Sequence, residues 1–177
     1  MTPLNIAIDY LANHPELADE LGKISWNEWR PIYEQRGETF ADAVRKYRER
    51  ANIGQLPLAL VALAEGDEGR PFDFGSGQSM RAPALIGTVS LKYCDLDIRP
   101  ELDPWLGGVF VVPEWRGRGI ASLLCRRAME AAARLTISNL YLWTHSAEGL
   151  YLKLGWRAIE RTDYCGKKIV IMRMTIQ

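Results

Sequence analysis

The alternation of apolar and polar positions predicts helices in the first third of the chain. A short strand over 4–10 precedes Asn13-His14-Pro15-Glu16, where an asparagine N-cap and a proline at the first helical position predict a helix start. Apolar residues then recur at helical spacing in two stretches, the second over 39–52. Aromatic residues at such spacing belong to a core more often than to a ligand site, so we interpret them as packing residues. The apolar faces comprise Trp26, Trp29, Ile32 and Tyr33, and then Phe40, Val44, Tyr47 and Ala51.

After these helices the pattern takes on the period of β-strands. Residues 58–63 are continuously apolar, as in a fully buried strand, and 85–91 alternate well enough to pair with them as a hairpin. A third strand over 105–112 contains Gly107-Gly108, and glycine inside a strand indicates a β-bulge. Turn residues dominate the connecting segments 66–83 and 94–104, which we interpret as loops.

The second half of the chain continues the alternation of helix and strand. An apolar stripe predicts a long helix. Ser146 is suited to cap a shorter helix, which ends before Gly155, because a helix often ends with a glycine in the left-handed conformation. No repeat or linker interrupts the pattern, so we expect a single α/β domain over 1–177. The long helix is predicted over 119–135, the short one over 146–154, and further strands over 140–143, 156–160 and 168–176.

The most distinctive segment joins the third strand to the long helix. Pro113 stops an apolar run, and Arg116-Gly117-Arg118-Gly119 follows as a loop that opens into the helix. Glycine lets backbone N–H groups approach a pyrophosphate closely, and the helix directs its unpaired N–H groups and positive dipole end at the same anion. From the glycines alone, a tight turn is about as well supported as a phosphate site. The strand before the loop, its arginines and the amphipathic helix after it favour a phosphorylated ligand.

Composition and charge restrict the classes of partner. The 177 residues carry 22 basic and 22 acidic side chains, so no overall field attracts nucleic acid or an anionic membrane surface. No stretch of about 18 consecutive apolar residues occurs and 1–10 lacks the pattern of a signal peptide, so we expect a cytoplasmic protein. Cys94, Cys125 and Cys165 have neither CxxC spacing nor nearby paired histidines, which disfavours a disulfide framework and a metal site.

Two motifs resemble those of the GCN5-related N-acetyltransferase (GNAT) family, whose members move an acetyl group from acetyl-CoA to an amine. Arg116-Gly117-Arg118-Gly119-Ile120-Ala121 is similar to the family's pyrophosphate signature, Gln/Arg-x-x-Gly-x-Gly/Ala. Further along, 147–156 is similar to its tyrosine helix, Ala-x-x-x-Tyr-x-x-x-Gly-aromatic. The order of elements agrees over essentially the whole chain. The resemblance implies an α/β fold with a central mixed, mostly antiparallel sheet of six to seven strands, flanked by about four to five helices.

The resemblance also implies functional roles for residues near both motifs. A bulge at Gly107-Gly108 would splay the cofactor strand from its neighbour and leave backbone groups for the pantetheine arm and the thioester oxygen. Tyr151 is implied as the general acid that protonates the departing thiolate. The implied acetyl-CoA contacts are Val109, Phe110, Val111, Arg116, Gly117, Arg118, Gly119, Ile120, Ala121 and Ser122, with Thr144 at a position where family members often have an asparagine.

The residues themselves leave the general base open. Acidic side chains crowd the loop 94–104, where a carboxylate could reach an incoming ammonium directly or through water, and the same loop would attract a cationic amine. Histidine ordinarily titrates near neutral pH, which makes His145 a candidate, although an isolated histidine is more often structural. The candidate bases are Asp97, Asp103 and His145, with Asp95 and Glu101 in the same loop and Asp163 and Tyr164 as weaker alternatives.

We therefore expect an acetyl-CoA-dependent N-acetyltransferase in which the amine attacks the thioester directly in a ternary complex. Neither Cys94 nor Cys125 lies beside a histidine in a recognisable arrangement, which disfavours an acyl-enzyme. The glycine loop comes close to a Rossmann fingerprint, but no repeated βαβ unit follows, and the P-loop string is missing from the sequence. A non-catalytic acyl-CoA-binding sensor is the alternative. The acceptor stays open among a small primary amine such as a polyamine or aminoglycoside, an amino acid and a peptide N-terminus, and we expect a monomer or a homodimer paired through 168–176.

Overall fold

A computed structural model describes residues 5–65 and 83–176. These residues form seven strands and four α-helices, with short 3-10 turns at Leu11–Asn13, Pro15–Leu17 and Pro113–Trp115. In chain order the elements are β1 (Asn5–Tyr10), α1 (Ala18–Gln35), α2 (Phe40–Glu49), β2 (Leu58–Glu65), β3 (Ala84–Lys92), β4 (Trp105–Val111), α3 (Ile120–Arg134), β5 (Asn139–Thr144), α4 (Glu148–Lys153), β6 (Arg157–Tyr164) and β7 (Lys167–Thr175).

The strands form one sheet in the order β1-β2-β3-β4-β5-β7-β6. Neighbouring strands pair antiparallel except for β4 and β5, which run parallel. The predicted mixed, mostly antiparallel sheet is therefore confirmed, as are the antiparallel pairing of β2 with β3 and the terminal hairpin of β6 and β7.

Both faces of the sheet are buried around β2, and this explains why the sequence of β2 is continuously apolar. Side chains of a strand alternate between the two faces. Leu58 and Leu60 belong to the same core as Leu124 of α3, whereas Val61 packs with Leu21 of α1. Helix α3 covers one face and the helices α1 and α2 cover the other, so neither side of β2 meets solvent.

A kink in α1 shapes the second face. Trp29 has φ −120° and ψ 24°, outside the helical region, two residues before Pro31. Proline has no backbone N–H and its ring clashes with the carbonyl four residues earlier, here that of Asn27, so the helix bends at this point. The segment around the kink, which includes Glu28 and Ile32, lines a cavity on this face.

Three local predictions about α1 and α2 are wrong. Asn13 does not cap α1, because its amide nitrogen donates to Asp9 Oδ1 (2.8 Å) and the chain passes through 3-10 turns before α1 begins. Phe40 does not join the core: it is 47% exposed, with one edge against the Trp26 ring at a centroid distance of 6.3 Å. Helix α2 ends at Glu49, three residues before the predicted end at 52.

Two further predictions in the second half need correction. Ser146 does not cap α4. Instead, Thr144 Oγ1 accepts hydrogen bonds from the backbone N–H groups of Ala147 (2.9 Å) and Ser146 (3.3 Å). Strand β6 continues to Tyr164 beyond the predicted end at 160, because it is the edge strand and its largely exposed side chains carry no apolar alternation. Apart from Pro83, the predicted loop 66–83 lies outside the described residues.

Candidate active site

The site begins at a bulge in β4. Ser90 of β3 faces Gly107, but Thr88 faces Phe110, so β4 has one residue more than β3 in this interval. Gly108 has a φ of +61°, a left-handed conformation that glycine adopts without strain. The bulge predicted from the two glycines is thereby confirmed.

Strands β4 and β5 separate beyond the bulge. Their only register pair within the described residues is Trp105 with Tyr141, at the start of β4. The later part of β4 therefore has no strand partner on its β5 side, and backbone groups between Val109 and Val111 are available to a ligand, apart from the Val111 carbonyl, which accepts from Arg116 Nε. This is the splayed arrangement expected for the cofactor strand.

The loop between β4 and α3 is an open cradle. Gly117 and Gly119 have φ values of +75° and +79°, and a Cβ added at either would meet no heavy atom within 4 Å. Glycine is therefore required here by the backbone conformation rather than by crowding. Gly119 is also the N-cap of the 15-residue helix α3, and no side chain caps that end. The first backbone N–H groups of α3 are left to bind an anion.

The arginines of the loop are held by aromatic rings. Arg116 donates from Nε to the Val111 carbonyl (2.9 Å) and lies over the Phe110 ring at 5.8 Å. Arg118 lies over the Trp115 ring at 4.8 Å. Cation–π contacts of this kind orient a guanidinium while leaving its outer N–H groups free to donate.

A cavity of about 800 Å³ extends from this cradle along β4 to α4. Most residues predicted to bind acetyl-CoA line it, and Arg118 and Thr144 do not. The predicted residues that line it are Val109, Phe110, Val111, Arg116, Gly117, Gly119, Ile120, Ala121 and Ser122.

A second cavity of about 530 Å³ lies under the kink of α1. Its wall comes from α1, the end of α2, the bulge of β4, the end of β5 and the terminal hairpin. We call it the acceptor cavity and the first one the cradle cavity. The two cavities meet, because the same five residues line both of them: Glu28, Val109, Ser146, Ala147 and Tyr151.

Tyr151 is buried at this junction, with 7% of its surface exposed. Its ring packs edge-on against Trp156, at a centroid distance of 6.2 Å. Burial, with smaller effects from Cys125 and Asp95, raises the pKa of the Tyr151 phenol above its ordinary value. The hydroxyl therefore stays protonated at neutral pH and can donate a hydrogen bond into the junction.

The predicted bases lie in different places. His145 lines the acceptor cavity, as does Asp95, whose carboxylate is 2.5 Å from Lys92 Nζ. Asp97 and Asp103 line neither cavity, and both are exposed on the surface. Desolvation raises the pKa of Asp103. The structure thus brings His145 and Asp95 to the acceptor side of Tyr151 and leaves the other two outside.

Sequence reasoning missed Glu28, the carboxylate that lines both cavities. In a straight amphipathic helix it counts as an ordinary polar residue. The signal that could have found it is Pro31, because a proline inside a helix predicts a kink one turn earlier. That kink sets Glu28 above the junction.

The structure also gives the positions of Thr144 and of the cysteines. Thr144 is 8% exposed, accepts at Oγ1 from the Ala147 backbone N–H just before α4 and lines the acceptor cavity. The cysteines are free, with Cys94 exposed and Cys125 buried. Over the described ranges no group of three or more His, Cys, Asp or Glu residues could hold a metal ion. Likewise, none of the helices described is long and apolar enough to cross a membrane.

Comparison with known proteins agrees with this geometry. The model of the acetyltransferase (GNAT) family matches residues 26–156. NAA60 of Arabidopsis thaliana in complex with a bisubstrate analogue is similar in structure, with a TM-score of 0.66, 19% identity and coverage of 98% of this chain and 100% of that one. The yncA protein of Salmonella typhimurium with acetyl-CoA has a TM-score of 0.66 and 15% identity over 97% and 94% of the two chains. An aminoglycoside 6′-N-acetyltransferase complexed with coenzyme A has a TM-score of 0.64 and 16% identity over 97% of each chain. No curated protein matches significantly.

Proposed function

The chain belongs to the GNAT acetyltransferase family, and we propose that it transfers an acetyl group from acetyl-CoA to a primary amine by direct attack in a ternary complex. The observation that carries this proposal is the meeting of the cradle cavity and the acceptor cavity at Tyr151 and Val109. A thioester and an amine that enter from the two sides would come together there, which removes most of the entropic barrier to their reaction.

The residues of the cradle cavity fit acetyl-CoA. Gly117 and Gly119 leave space for a pyrophosphate against backbone N–H groups, and the uncapped start of α3 adds its positive dipole end. The unpaired edge of β4 between Val109 and Val111 can hydrogen-bond an amide-bearing pantetheine arm as an added strand would. Bound acetyl-CoA supplies the activated acetyl group.

The residues at the junction can serve the transfer as follows. A carboxylate takes a proton from the incoming ammonium, and the free amine forms the C–N bond while the C–S bond breaks. A backbone N–H of β4 stabilises the negative charge on the carbonyl oxygen. Tyr151 donates from its hydroxyl to the departing sulfur, which leaves as the thiol once protonated, and the amide nitrogen loses its second proton to water.

For the general base we favour Glu28 over the residues predicted from sequence. Glu28 lines both cavities, whereas His145 lines only the acceptor cavity and Asp97 and Asp103 line neither. A carboxylate at the junction can reach an ammonium directly or through one water molecule. We expect Glu28→Gln to remove the acidic limb of the pH profile of kcat/KM, and His145→Gln to leave that limb in place.

The proposal is tested by incubating the purified protein with acetyl-CoA and a panel of primary amines and following acetylated products by mass spectrometry. Tyr151→Phe should lower kcat by about 100-fold or more, since general acid catalysis typically contributes that much, and leave the Kd of acetyl-CoA unchanged. Tyr10→Phe, a partly buried tyrosine on β1, is the matched control. Binding of acetyl-CoA without acetylation of any amine would contradict catalysis and support the sensor.

A further inference from the structure

The acceptor cavity contains a buried arginine for which the described residues provide no carboxylate. Arg50 follows α2 and is 6% exposed, yet its side chain lines the cavity. Its backbone is held in place, because its N–H donates to the Tyr47 carbonyl (3.1 Å) and its own carbonyl accepts from Ala59 of β2 (3.0 Å). The backbone of Arg50 is thus a fixed part of the wall.

The contacts of Arg50 leave most of its donors unused. Its guanidinium carbon lies 4.6 Å from the centre of the Tyr47 ring, and Nη1 makes a long hydrogen bond of 3.4 Å to Ser90 Oγ. Among residues 6–64 and 83–176, whose side chains the structure describes, no carboxylate forms an ion pair with it. A guanidinium has five N–H donors, and a charge this deeply buried is ordinarily paired. The unused donors indicate a place for an anionic ligand.

Other cations reinforce this end of the cavity. Lys92 and Arg36 also line it, and the two carboxylates on this side are already paired, Asp95 with Lys92 Nζ at 2.5 Å and Glu49 with Arg45 Nη1 at 2.7 Å. Arg36 donates from Nη2 to the Asp95 backbone carbonyl (2.6 Å). Burial lowers the pKa of Lys92, the carboxylate of Asp95 opposes that shift, and the positive charges of Arg50 and Arg36 add to it, so the three cations repel one another. An anion bound among them would relieve that repulsion.

The opposite end of the acceptor cavity carries a negative charge. Glu28 lies at the junction with Tyr151, where the amine must be to attack. Arg50 contacts Ser90, which pairs with Gly107, two residues before Val109 on β4. Two residues of a strand span about 7 Å, so a ligand that reaches from the junction to Arg50 is short.

We propose that the acetyl acceptor is a small amine that also carries a carboxylate, namely an amino acid, and that Arg50 binds this carboxylate. The inference rests on the proposed acetyl transfer. A carboxylate matches the planar fork of a guanidinium with two parallel hydrogen bonds. A polyamine or an aminoglycoside would instead place further positive charge against Arg50 and Lys92, which disfavours both as acceptors.

The test compares acceptors that differ only in the carboxylate. The probes are the twenty common α-amino acids, β-alanine and 4-aminobutyrate, each beside its carboxamide. Their binding to the protein saturated with CoA is measured by calorimetry, and their acetylation with acetyl-CoA by product mass spectrometry. We expect at least one acid to bind and its carboxamide to bind about 10- to 100-fold more weakly, the range for a hydrogen bond to a charged group.

Variants of the two arginines make the test specific. Arg50→Gln should weaken acid binding by about 10- to 100-fold and leave the Kd of acetyl-CoA unchanged. Arg50→Lys keeps the charge but loses the planar fork, so its Kd for the acid should lie between those of the wild type and Arg50→Gln. This variant also replaces Arg50→Gln where the glutamine variant fails to fold. Arg48→Gln is the matched control, since Arg48 is 64% exposed and pairs with Asp19 on the outer surface.

The outcomes separate this inference from the proposed function. Acid-selective binding that depends on Arg50 supports the inference even where no product forms, a result that would overturn acetyl transfer alone. Acetylation of acids and carboxamides with equal efficiency, unchanged in the Arg50 variants, would overturn the inference and leave acetyl transfer intact. Failure of every acid in the panel to bind would also overturn it.

Discussion

Replacing Gly119 by alanine tests the phosphate cradle at a position where the backbone, and not the surrounding space, requires glycine. Gly119 has a φ of +79°, and an added Cβ would meet no heavy atom within 4 Å. The methyl group therefore clashes with nothing beyond its own residue and its two chain neighbours. Its main effect is the cost of holding an L-residue in the left-handed region, about 1–2 kcal/mol.

That cost is divided between folding and binding. A loop that keeps its conformation without ligand carries the cost in the native state, and the free energy of unfolding falls by about 1–2 kcal/mol. A loop that relaxes in the free protein carries the cost on binding, and the Kd of acetyl-CoA rises by up to about 5- to 30-fold. Because Gly119 is exposed and no side chain caps α3, we expect the loop to relax and the larger share to appear in binding.

Gly37→Ala is the matched control. Gly37 lies in the turn after α1 with a φ of +68°, and an added Cβ would again meet no heavy atom within 4 Å. It lines neither cavity. This variant should lose up to the same stability, about 1–2 kcal/mol, with no change in the Kd of acetyl-CoA.

Urea denaturation gives the unfolding free energies and calorimetry gives the Kd of acetyl-CoA for the three proteins. For Gly119→Ala the loss in unfolding free energy and the loss in binding free energy for acetyl-CoA should add up to about 1–2 kcal/mol. Unchanged stability together with unchanged affinity would refute the requirement for a left-handed residue. An equal loss of affinity in Gly37→Ala would refute the assignment of the cradle to acetyl-CoA.

Three more predictions concern other parts of the fold. Burial raises the pKa of Cys125 to about 12, so iodoacetamide at pH 8 should label the exposed Cys94 and reach Cys125 only after unfolding; labelling of native Cys125, read by peptide mass spectrometry, would contradict this. Gly22→Ala should destabilise the protein by about 1–3 kcal/mol in urea, because overpacking is costly and a Cβ there would lie 2.5 Å from a backbone Cα of α2, and a neutral effect would disprove this close packing. Hydrogen bonds from the Thr39 backbone and hydroxyl lower the pKa of Asp42 to about 2, so Asp42→Asn should lower Tm at pH 7, with a difference that shrinks as the pH falls from about 4 towards 2; a difference independent of pH would exclude the ionised cap.

The strands of this fold were predictable wherever burial gives the sequence a periodic pattern. Both faces of β2 are covered, and its continuous apolar run indicates this directly. The end of β6 had no such pattern, because an edge strand with exposed side chains is selected by pairing with β7 rather than by burial. The predicted helix caps failed for a local reason. Asn13 and Ser146 are suitable caps by type, but competing hydrogen bonds close in sequence replace them: Asn13 donates to Asp9, and Thr144 accepts from the backbone before α4.

Most residues that line the cradle cavity were predictable from sequence because they are contiguous in the chain. One strand, one loop and the start of one helix form this wall, and its glycines can be read directly from the sequence. The acceptor half is assembled from α1, α2, β3, β4, β5 and the terminal hairpin, so its residues are distant in sequence. The position of Glu28 at the junction was identified only from the kink in α1, and the importance of Arg50 only from its burial.

The charges that line the acceptor cavity differ from what the acidic loop 94–104 alone would indicate. The sign that a ligand meets depends on which charges are already paired. Of the acidic side chains in the loop 94–104, Asp95 lines the cavity, and Lys92 neutralises it at 2.5 Å. Arg50, which the described residues leave without a carboxylate, then dominates that end, although the whole chain carries 22 basic and 22 acidic side chains. Under the proposed acetyl transfer, the guanidinium of Arg50 at one end of this cavity and the carboxylate of Glu28 at the other would orient an amino acid with its amine at the thioester and its carboxylate at Arg50.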